Sequence, residues 1–441
     1  MLKRFTVENF SSYKTENSLD LTAGRTEFHS EHVIEFKKVK ILKSAIIYGA
    51  NASGKSNLIK AIDYAQEIII DGLKNVDTYK KYFRLDEENL KKPTLFEFEF
   101  EFDKRFFSYG FSSILNTKKI NEEWLFEIGK ASPEMIFERK NNSIKLGKFL
   151  KSKKIKDRFE IYIDDMKNQD SELFLSEIAN KDLDKKEVQI LNDIYEWFDK
   201  KLIILYPNSR FGGISSIASN TNLSKIFKKY LNEFNTGIID IKSVEENFEK
   251  TLKDIPLEVK KEIENKLVEQ PDKKLSFQSS DGVLLTIYKD GDDLKIEKLG
   301  LVHHTSVNDV FELKDESDGT KRLFDLIPLI GKFDENYTII IDEFDRSLHP
   351  ILARKLFELF YKFKDSKSQL IVTTHESNLL DLDLVRRDEI WFAEKDKDGA
   401  SKLYPLNQFK VRYDSKIDKA YFLGRYGAIP IFKIFETLDT E

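Results

Sequence analysis

Apolar and polar residues alternate in the first part of the chain in the way that β-strands require. The stretches TLFEFEFEF (Thr94 to Phe102) and RFFSYGFSSI (Arg105 to Ile114) are separated by Asp103-Lys104 and predict an antiparallel hairpin. The stretch INEEWLFEI that follows predicts a third strand of the same sheet. We expect the alternating aromatic side chains to form core rather than a surface for stacking bases: Phe96, Phe98, Phe100 and Phe102.

A second pattern predicts a parallel sheet with helices between its strands. The apolar run AIIYGAN ends in a glycine turn and leads into NLIKAIDYAQEIII, whose apolar residues recur with helical spacing. Further along, the strand-like runs YTIIIDEF and QLIVTTHE flank the helical pattern of ILARKLFELFYKF. Buried strands that alternate with helices are typical of α/β proteins. We therefore predict an α/β fold with a mixed sheet, an antiparallel β subdomain and a helical insertion.

The middle of the chain predicts the insertion. Residues 135–276 are rich in lysine, glutamate and aspartate and carry mainly helical patterns, so we interpret them as one charged, helical insertion. It separates two halves of one domain, residues 1–134 and 277–410, and residues 411–441 are predicted to form a helical tail. The sequence shows no heptad pattern long enough for an extended coiled coil.

The amino-acid composition excludes several classes of protein but does not indicate a function. No run of about 18 apolar residues occurs and the first residues do not resemble a secretory signal, so we expect a cytoplasmic protein outside the membrane. The chain has no cysteine, which excludes disulfides and thiolate metal sites. A net charge of -5 argues against a strongly basic nucleic-acid binder. The lysine-dense stretch from Glu138 to Arg158 could contact a phosphate backbone, although a solvated helix face is the favoured interpretation.

The segment GANASGKS matches the phosphate-loop pattern G-x-x-x-x-G-K-[ST] and lies between a predicted strand and a predicted helix. Glycines allow backbone N–H groups to surround phosphate oxygens, and the start of a helix adds partial positive charge. We expect Lys55 to contact the β- and γ-phosphates of ATP and the Ser56 hydroxyl to bind Mg²⁺. The residues assigned to ATP binding here are Gly49, Ala50, Asn51, Ala52, Ser53, Gly54, Lys55, Ser56 and Asn57.

Two later strands end in residues that would complete a nucleotide site. We expect Asp342 to hold Mg²⁺ and Glu343 to polarise the water that attacks the γ-phosphate. His375 ends the next predicted strand and would project to the same sheet edge, where we expect it to contact the γ-phosphate. Taken alone, the two acids could be solvated and the histidine a packed or surface residue. The phosphate loop favours the catalytic interpretation.

In their order, these motifs resemble an ATP-binding-cassette (ABC) head of the SMC-like and OLD-like type rather than the transporter type. The segment DESDGTK, Asp315 to Lys321, stands where that family has its signature Ser-Gly-Gly, with Ser317 and Gly319 as counterparts. The resemblance implies a homodimer that sandwiches ATP, in which Ser317 and Gly319 of one chain contact the γ-phosphate bound by the other. The alternative is a plain capped turn that opens a helix at Thr320.

More closely, the chain resembles the AAA-type ATPases of the RloA/AbiL group, which are associated with phage abortive infection. The motifs that carry this resemblance are VENFSSY, GANASGKSNL, ESDGTKRL, IDEFDRSLHP, TTHESNLLD and GRYGAIP. Two features depart from the ABC pattern. His349-Pro350 stands where transporter heads have an aspartate before the proline, and Gln66 is a poor candidate for the Q-loop glutamine, so a second Mg²⁺-linked ligand is unassigned.

The resemblance implies an ATPase that dimerises on ATP and controls a separate effector protein, encoded nearby, in antiphage defence. The 66 residues after His375 (441 minus 375) are too few for the TOPRIM nuclease of OLD-type proteins, and Asp381 and Asp383 are interpreted as a solvated turn rather than a metal pair. The GRYGAIP segment is expected to dock on the head or on a partner. The alternative functions are an ATP-dependent DNA-binding clamp of SMC or recombination type, which keeps DNA or RNA as a partner open, and a nucleotide-bound scaffold with negligible turnover.

Overall fold

The structure is a computed structural model, and its residues group into two compact units. The first unit comprises Met1–Pro207, Phe333–Asp345 and Arg354–Glu441, and the second comprises Asn208–Lys332 and Arg346–Ala353. The residues that the structure describes are 1–25, 28–37, 39–129, 132–181, 185–211, 217, 220–246, 251, 257–270, 274–278, 283–291, 293–303, 309–412 and 416–429.

Strands and helices are numbered here along the described residues. The strands are β1 (Leu2–Glu8), β2 (Asn17–Asp20), β3 (Val33–Glu35), β4 (Lys40–Leu42), β5 (Ser44–Tyr48), β6 (Thr94–Phe102), β7 (Arg105–Ile114), β8 (Lys119–Ile128), β9 (Glu134–Lys140), β10 (Ser143–Leu146), β11 (Leu202–Leu205), β12 (Ile238–Glu246), β13 (Leu275–Gln278), β14 (Leu284–Asp290), β15 (Asp293–His303), β16 (Thr338–Ile341), β17 (Gln369–Thr373), β18 (Ile390–Lys395) and β19 (Ser401–Pro405). The α-helices are α1 (Lys55–Asp71), α2 (Lys153–Met166), α3 (Phe174–Ala179), α4 (Lys185–Glu196), α5 (Thr221–Glu233), α6 (Leu257–Glu269), α7 (Asp318–Ile330), α8 (Pro350–Tyr361) and α9 (Ile417–Phe422). Among these described helices, none has the length and apolar character needed to cross a membrane.

An antiparallel sheet of seven strands in the first unit contains the predicted hairpin. Its order is β10-β9-β8-β7-β6-β1-β2. Phe102 of β6 pairs with Arg105 of β7, which places the turn at Asp103-Lys104, and β8 is the predicted third strand. Phe102 is half-buried, and the other three alternating aromatic residues are fully buried: Phe96, Phe98 and Phe100. The prediction that these residues form core is confirmed.

A second sheet of the first unit has the order β11-β16-β17-β5-β18-β19. Its neighbouring strands are parallel except for the antiparallel pair β18 and β19. The strands β5, β16 and β17 are buried along their whole length, as continuous apolar runs are in a parallel sheet covered on both faces. The predicted α/β fold with a mixed sheet and an antiparallel β subdomain is confirmed. Because parallel strands end at the same edge, the residues that follow β5, β16 and β17 come together.

The second unit contains an antiparallel sheet of its own, in the order β12-β15-β14-β13. Its helix α7 begins at Asp318 rather than at Thr320, because the Ser317 hydroxyl accepts a hydrogen bond from the Thr320 N–H at 3.1 Å and acts as the N-cap. Phe324 of α7 packs on Phe227 of α5, with ring centres 5.1 Å apart.

Residues 135–276 are divided differently from the predicted single insertion. The strands β9 and β10 extend the seven-stranded sheet, and β11 is an edge strand of the parallel sheet, next to β16. From Asn208 onward the chain belongs to the second unit, where β12 pairs with β15. Helices do occupy much of the segment. The run LIIL of β11 is too short for its periodicity to distinguish a strand from part of a helix, which is why the sequence pattern did not reveal it.

The C-terminal tail contains the short helix α9 and contacts the strands of the first unit. The Tyr404 hydroxyl of β19 donates a hydrogen bond to the Tyr426 carbonyl at 2.9 Å, and the Tyr421 hydroxyl donates one to the Ala428 carbonyl at 3.0 Å. The Tyr421 ring also stacks on Phe392 of β18. Residues 424–429 of the GRYGAIP segment therefore dock on the head, and its last residue, Pro430, lies outside the described residues.

Candidate nucleotide-binding site

The phosphate loop joins β5 to α1, and close packing requires glycine at both glycine positions of the motif, Gly49 and Gly54. A Cβ atom added to Gly49 would lie 2.3 Å from the Ala393 carbonyl oxygen. One added to Gly54, whose φ is 111°, would lie 2.2 Å from the Ser401 Oγ atom. Real Cβ atoms do not approach other heavy atoms so closely. The loop backbone is therefore pressed against β18 and β19, which holds it in place at the start of α1.

Lys55 is the first residue of α1, and its ammonium group folds back onto the loop. Its Nζ atom donates hydrogen bonds to the carbonyl oxygens of Gly49, at 2.8 Å, and Ala50, at 3.1 Å. Burial lowers the pKa of Lys55 from its ordinary value of 10.5 to about 8. Three nearby carboxylates oppose that shift: Asp342, Glu343 and Asp345. Among the described residues, the hydrogen-bond acceptors of this buried ammonium group are neutral carbonyls, which makes it well suited to binding an anion.

Hydrogen bonds from residues that are distant in sequence, but in the same unit, hold the phosphate loop in place. The Tyr13 hydroxyl donates to the Gly54 carbonyl at 3.1 Å, and the Ser401 hydroxyl donates to the Ser53 carbonyl at 2.7 Å. The side chain of Asn57, a residue that was predicted to bind ATP, donates to the Ser12 hydroxyl at 2.8 Å. That contact gives Asn57 a supporting role in the loop. Sequence patterns did not identify Ser12, Tyr13 or Ser401.

The carboxylate of Asp342 follows β16 and contacts two hydroxyl groups from neighbouring strands. Its Oδ1 atom accepts hydrogen bonds from Ser56 Oγ, at 3.0 Å, and from Thr373 Oγ1, at 2.5 Å. The Asp342 backbone N–H donates to the Leu205 carbonyl of β11. Asp342 is buried, and these contacts hold its carboxylate beside the first turn of α1. Ser56 and Asp342, which were each predicted to bind Mg²⁺, are therefore in direct contact.

Glu343 is held through its backbone. The Glu343 N–H donates a hydrogen bond to Thr373 Oγ1 at 2.8 Å, so one threonine hydroxyl connects both acidic residues. The backbone of Glu343 is in the left-handed region, with a φ of 47°, which is uncommon for a residue with a side chain. Such strain persists only where surrounding contacts enforce it, and here the enforcing contact comes from Thr373.

His375 follows β17 at the same edge of the sheet. Its backbone N–H donates to Asp345 Oδ1 at 3.3 Å, and the Thr374 hydroxyl donates to the same oxygen at 2.7 Å. The imidazole is exposed, yet desolvation and, second, the positive charge of Lys55 lower its pKa below the ordinary value. Thr373, Thr374 and Asp345 were missed by the sequence analysis, although the two threonines directly precede His375 in TTHES.

The structure thus brings five of the predicted residues to one edge of the parallel sheet: Lys55, Ser56, Asp342, Glu343 and His375. The two signature candidates belong to the second unit. There Ser317 is the N-cap of α7, and a Cβ atom on Gly319 would lie 2.9 Å from the Ser347 carbonyl oxygen. A side chain at position 319 would therefore push apart two backbone segments of that unit.

The remaining candidates have structural partners. Gln66, the poor candidate for the Q-loop glutamine, donates hydrogen bonds to the carbonyls of Phe198 and Leu202, at 2.5 and 3.2 Å. Asp381 accepts a hydrogen bond from Arg354 at 2.6 Å and forms an ion pair with it. Helix α2, which begins within the lysine-dense stretch and continues beyond it, buries three apolar residues as an ordinary amphipathic helix does: Ile155, Phe159 and Met166.

The side chains at this edge fit a Mg²⁺-bound nucleoside triphosphate. The buried Ser53 hydroxyl, inside the loop, has no hydrogen-bond partner among the described residues. The Lys55 ammonium has lost part of its solvation, and a hydroxyl and a carboxylate, from Ser56 and Asp342, already touch. Mg²⁺ prefers oxygen ligands of these kinds together with phosphate oxygens. Ser56 and Asp342 are therefore the residues that would hold the ion, and the loop would hold the phosphates.

Comparison with solved structures finds distant likenesses to SMC heads. The SmcHead bound to the C-winged helix domain of ScpA is 13% identical, with a TM-score of 0.42 over 92% of this chain and 97% of that one. The SMC head domain from Thermotoga maritima is 12% identical, with a TM-score of 0.37 over 92% and 98% of the two chains. A third match is an Smc head domain with an extended coiled coil, bound to the C-terminal domain of ScpA derived from Pyrococcus furiosus; it is 14% identical, with a TM-score of 0.36 over 96% and 98%.

No curated protein matches the sequence significantly. One protein-family model does, and it is described as "AAA domain, putative AbiEii toxin, Type IV TA system". It spans residues 44–381, well over half of the 441 residues, and includes the phosphate loop, the acidic pair after β16 and His375. The chain therefore belongs to this family of AAA-type ATPase domains.

Proposed function

We propose that this chain binds Mg²⁺-ATP at the described edge of the parallel sheet and hydrolyses it there. The observation that carries the proposal is the contact of Asp342 with both Ser56 and Thr373, while Thr373 also holds the Glu343 backbone. These bonds connect the loop after β5, the acidic pair after β16 and the end of β17. A site for phosphoryl transfer to water needs this combination of phosphate-binding residues, metal ligands and a group that activates water.

Nucleotide binding would use Lys55 and the loop. The hydrogen bonds of Lys55 Nζ to Gly49 and Ala50 are made to neutral carbonyls, so phosphate oxygens would be stronger acceptors. The negative charge of the phosphates would also raise the pKa of Lys55 again from about 8, which keeps the ammonium charged at neutral pH. The Ser53 hydroxyl, for which the described part of the chain offers no hydrogen-bond partner, lies in the same loop and can donate to a phosphate oxygen.

Hydrolysis would use Glu343 and His375. When bound, Mg²⁺ neutralises negative charge on the β- and γ-phosphates. Glu343 is half-buried, and its backbone is held in a strained conformation, which restricts the position of its side chain. The Glu343 carboxylate can then orient and deprotonate an attacking water. The lowered pKa of His375 favours a neutral imidazole that can donate a hydrogen bond to the γ-phosphate through its one N–H.

The test is phosphate release by the Glu343→Gln variant. Removing the general base should reduce turnover by about 10²–10⁴-fold while ATP binding persists, because Lys55 and the loop are intact. The matched control is Glu335→Gln, since Glu335 is exposed and precedes β16, at the opposite end from the site. Undiminished hydrolysis by Glu343→Gln would remove Glu343 from the mechanism.

We further propose that two chains dimerise around ATP and that the nucleotide state controls a separate effector in antiphage defence. The resemblance to the RloA/AbiL group supports this, and so does the family description, which names an AbiEii toxin and a type IV TA system. In cells, the wild-type gene with its neighbouring reading frame should restrict phage, and the Glu343→Gln gene should not. Equal protection by both would separate any defence role from ATP hydrolysis.

A further inference from the structure

A buried tyrosine connects the phosphate loop with the segment that carries His375. Tyr48 is the last residue of β5 and directly precedes Gly49, the first residue of the loop. Tyr48 is almost completely buried, and its hydroxyl donates a hydrogen bond to the Glu376 carbonyl at 3.2 Å. Glu376 is the residue after His375, beyond the end of β17. The Tyr48 side chain therefore reaches from the end of one strand to the backbone beside the histidine.

The hydroxyl of Tyr48 is the part of the side chain that packing alone does not require. A buried hydroxyl costs free energy unless it forms a hydrogen bond, and phenylalanine would fill nearly the same space without that cost. Burial and, second, the negative charge of Asp345 raise the pKa of Tyr48 well above its ordinary value of 10, so the hydroxyl stays protonated and donates. Its acceptor, the Glu376 carbonyl, lies outside the strand pairing of the sheet and also accepts a longer hydrogen bond, from the Leu379 N–H at 3.4 Å. The hydroxyl thus fixes backbone that the sheet itself does not hold.

His375 is held from both strands that flank β17. Asp345, which follows β16, accepts hydrogen bonds from the His375 N–H and from the Thr374 hydroxyl. Tyr48, at the end of β5, binds the Glu376 carbonyl. The order β16-β17-β5 means that these contacts come from the two neighbours of β17. Because the imidazole is exposed, its position relative to the phosphate loop depends on this backbone.

The C-terminal tail packs against Tyr48. The rings of Tyr48 and Tyr421, on α9, have centres 5.9 Å apart, and both lie beside Phe392 of β18, at 6.4 and 5.5 Å. The Tyr421 hydroxyl holds the tail in turn, because it donates to the Ala428 carbonyl at 3.0 Å. One buried group of aromatic rings therefore connects the tail with the residue that begins the phosphate loop.

We propose that Tyr48 is a positioning residue that holds His375 where it can contact the γ-phosphate, and that Tyr421 of the tail supports Tyr48 in that role. This inference rests on the proposed function, because it gives His375 a task in ATP hydrolysis. Without the Tyr48 hydroxyl, the backbone at residues 375–376 loses one of its two anchors. A displacement of about 1 Å at a reacting centre can lower a rate about 100-fold. Nucleotide binding would persist, because Lys55 and the loop hold the phosphates.

The test is ATP hydrolysis by Tyr48→Phe, measured together with its affinity for ADP. The variant keeps the ring and loses only the hydroxyl, so it should fold, and a melting curve verifies that. We expect kcat to fall roughly 10–100-fold, while the affinity for ADP, which lacks the γ-phosphate, stays unchanged. The matched control is Tyr64→Phe, which should hydrolyse ATP like the wild type. Tyr64 is also buried, and the described part of the chain offers its hydroxyl no hydrogen-bond partner.

A double variant shows whether Tyr48 acts through His375. Residues that act through one another are not additive, so Tyr48→Phe should lower turnover no further in a His375→Ala protein. Amide hydrogen exchange without nucleotide gives a second measurement that does not depend on hydrolysis. Exchange over residues 374–378 should be faster in Tyr48→Phe than in the wild type, because the segment has lost an anchor.

Two further variants test the tail. Tyr421→Ala should lower kcat and leave ADP binding unchanged, as Tyr48→Phe does, whereas Phe422→Ala should do neither, because Phe422 is exposed on the same helix. Wild-type kcat in Tyr421→Ala would overturn the role of the tail.

The role of Tyr48 fails independently of the proposed hydrolysis. Phosphate release by the wild type and its loss in Glu343→Gln test hydrolysis alone. If both occur, wild-type kcat in Tyr48→Phe would overturn the role of Tyr48. Weakened ADP binding in that variant, or an additive loss in the double variant, would overturn it too, since either would show that Tyr48 does not act through His375. A wild type that releases no phosphate would overturn the proposed hydrolysis and this role with it.

Discussion

Ser56 Oγ donates a hydrogen bond to Asp342 Oδ1 over 3.0 Å, although 286 positions separate the two residues in the chain. The contact exists because β5 and β16 flank β17 in one parallel sheet and end at the same edge. It puts a hydroxyl and a carboxylate side by side, where the two can share one small, hard cation.

We expect Asp342→Asn to weaken the binding of Mg²⁺ and to leave the binding of nucleotide unchanged. The amide keeps the size of the carboxylate but removes its charge, so half-maximal hydrolysis should need roughly 10–100 times more Mg²⁺. Phosphate release at saturating ATP, measured over a Mg²⁺ series, checks this. Asp383→Asn serves as the control because Asp383 is exposed in a turn. An unchanged Mg²⁺ dependence in Asp342→Asn would mean that this residue does not hold the ion.

Thr373→Val should impair both stability and turnover. Valine has nearly the same shape but leaves the Glu343 N–H without its acceptor and removes one donor from buried Asp342. We expect a loss of about 1–3 kcal/mol in the free energy of unfolding and a fall in kcat of roughly tenfold or more. Chemical denaturation and steady-state kinetics measure the two effects. The exposed Thr117→Val should show neither, and wild-type kinetics in Thr373→Val would contradict the anchoring role.

Lys55→Met should stabilise the nucleotide-free protein while abolishing ATP binding. The pKa of Lys55 is lowered from 10.5 to about 8 by folding, so below pH 8 the native state carries the full cost of burying the charge, about 3 kcal/mol. Between pH 8 and 10.5 the unfolded state binds more protons, so wild-type stability rises with pH and the advantage of Lys55→Met shrinks. Melting temperatures of both proteins at pH 7 and 9.5 test this. If the difference in melting temperature between Lys55→Met and the wild type is as large at pH 9.5 as at pH 7, the lowered pKa of Lys55 is contradicted.

Mixed dimers should reveal whether Ser317 acts on another chain's ATP. Ser317→Asp keeps an N-cap for α7, since aspartate caps as well as serine, but puts a negative charge where the γ-phosphate is proposed to lie. Each of Lys55→Met and Ser317→Asp should be inactive alone. Mixing them should restore one intact site per heterodimer, which a phosphate-release assay detects. If heterodimers form without any recovery, Ser317 is only a helix cap.

Local patterns predicted the parts of the fold that depend on neighbours in sequence. The alternation of Phe96, Phe98 and Phe100 predicted a strand with a buried face, and the turn at Asp103-Lys104 closed the hairpin where expected. The helix after the glycine loop was predicted over NLIKAIDYAQEIII, and α1 contains that stretch but begins two residues earlier, at Lys55. In each case the prediction depends only on residues that are close together in the sequence.

The supporting contacts of the site could not be predicted in that way. Ser401 contacts Ser12 across 389 positions, and the two hydroxyls together brace the phosphate loop. Asn57 was assigned to the nucleotide site because it follows the loop motif, and its side-chain contact with Ser12 could not be predicted. Serines and asparagines occur throughout any chain, so only their position in space distinguishes a brace from a surface residue.

The sequence by itself determined the phosphate loop, the two kinds of sheet and the strands that end in Asp342 and His375, because hydrophobic periodicity and glycine spacing are local properties. Only the tertiary structure decided that LIIL is a strand of the parallel sheet and that Thr373 connects Asp342 with Glu343. Those outcomes depend on hydrogen bonds between residues far apart in the chain. Such bonds form only when packing of the sheet has brought both partners together.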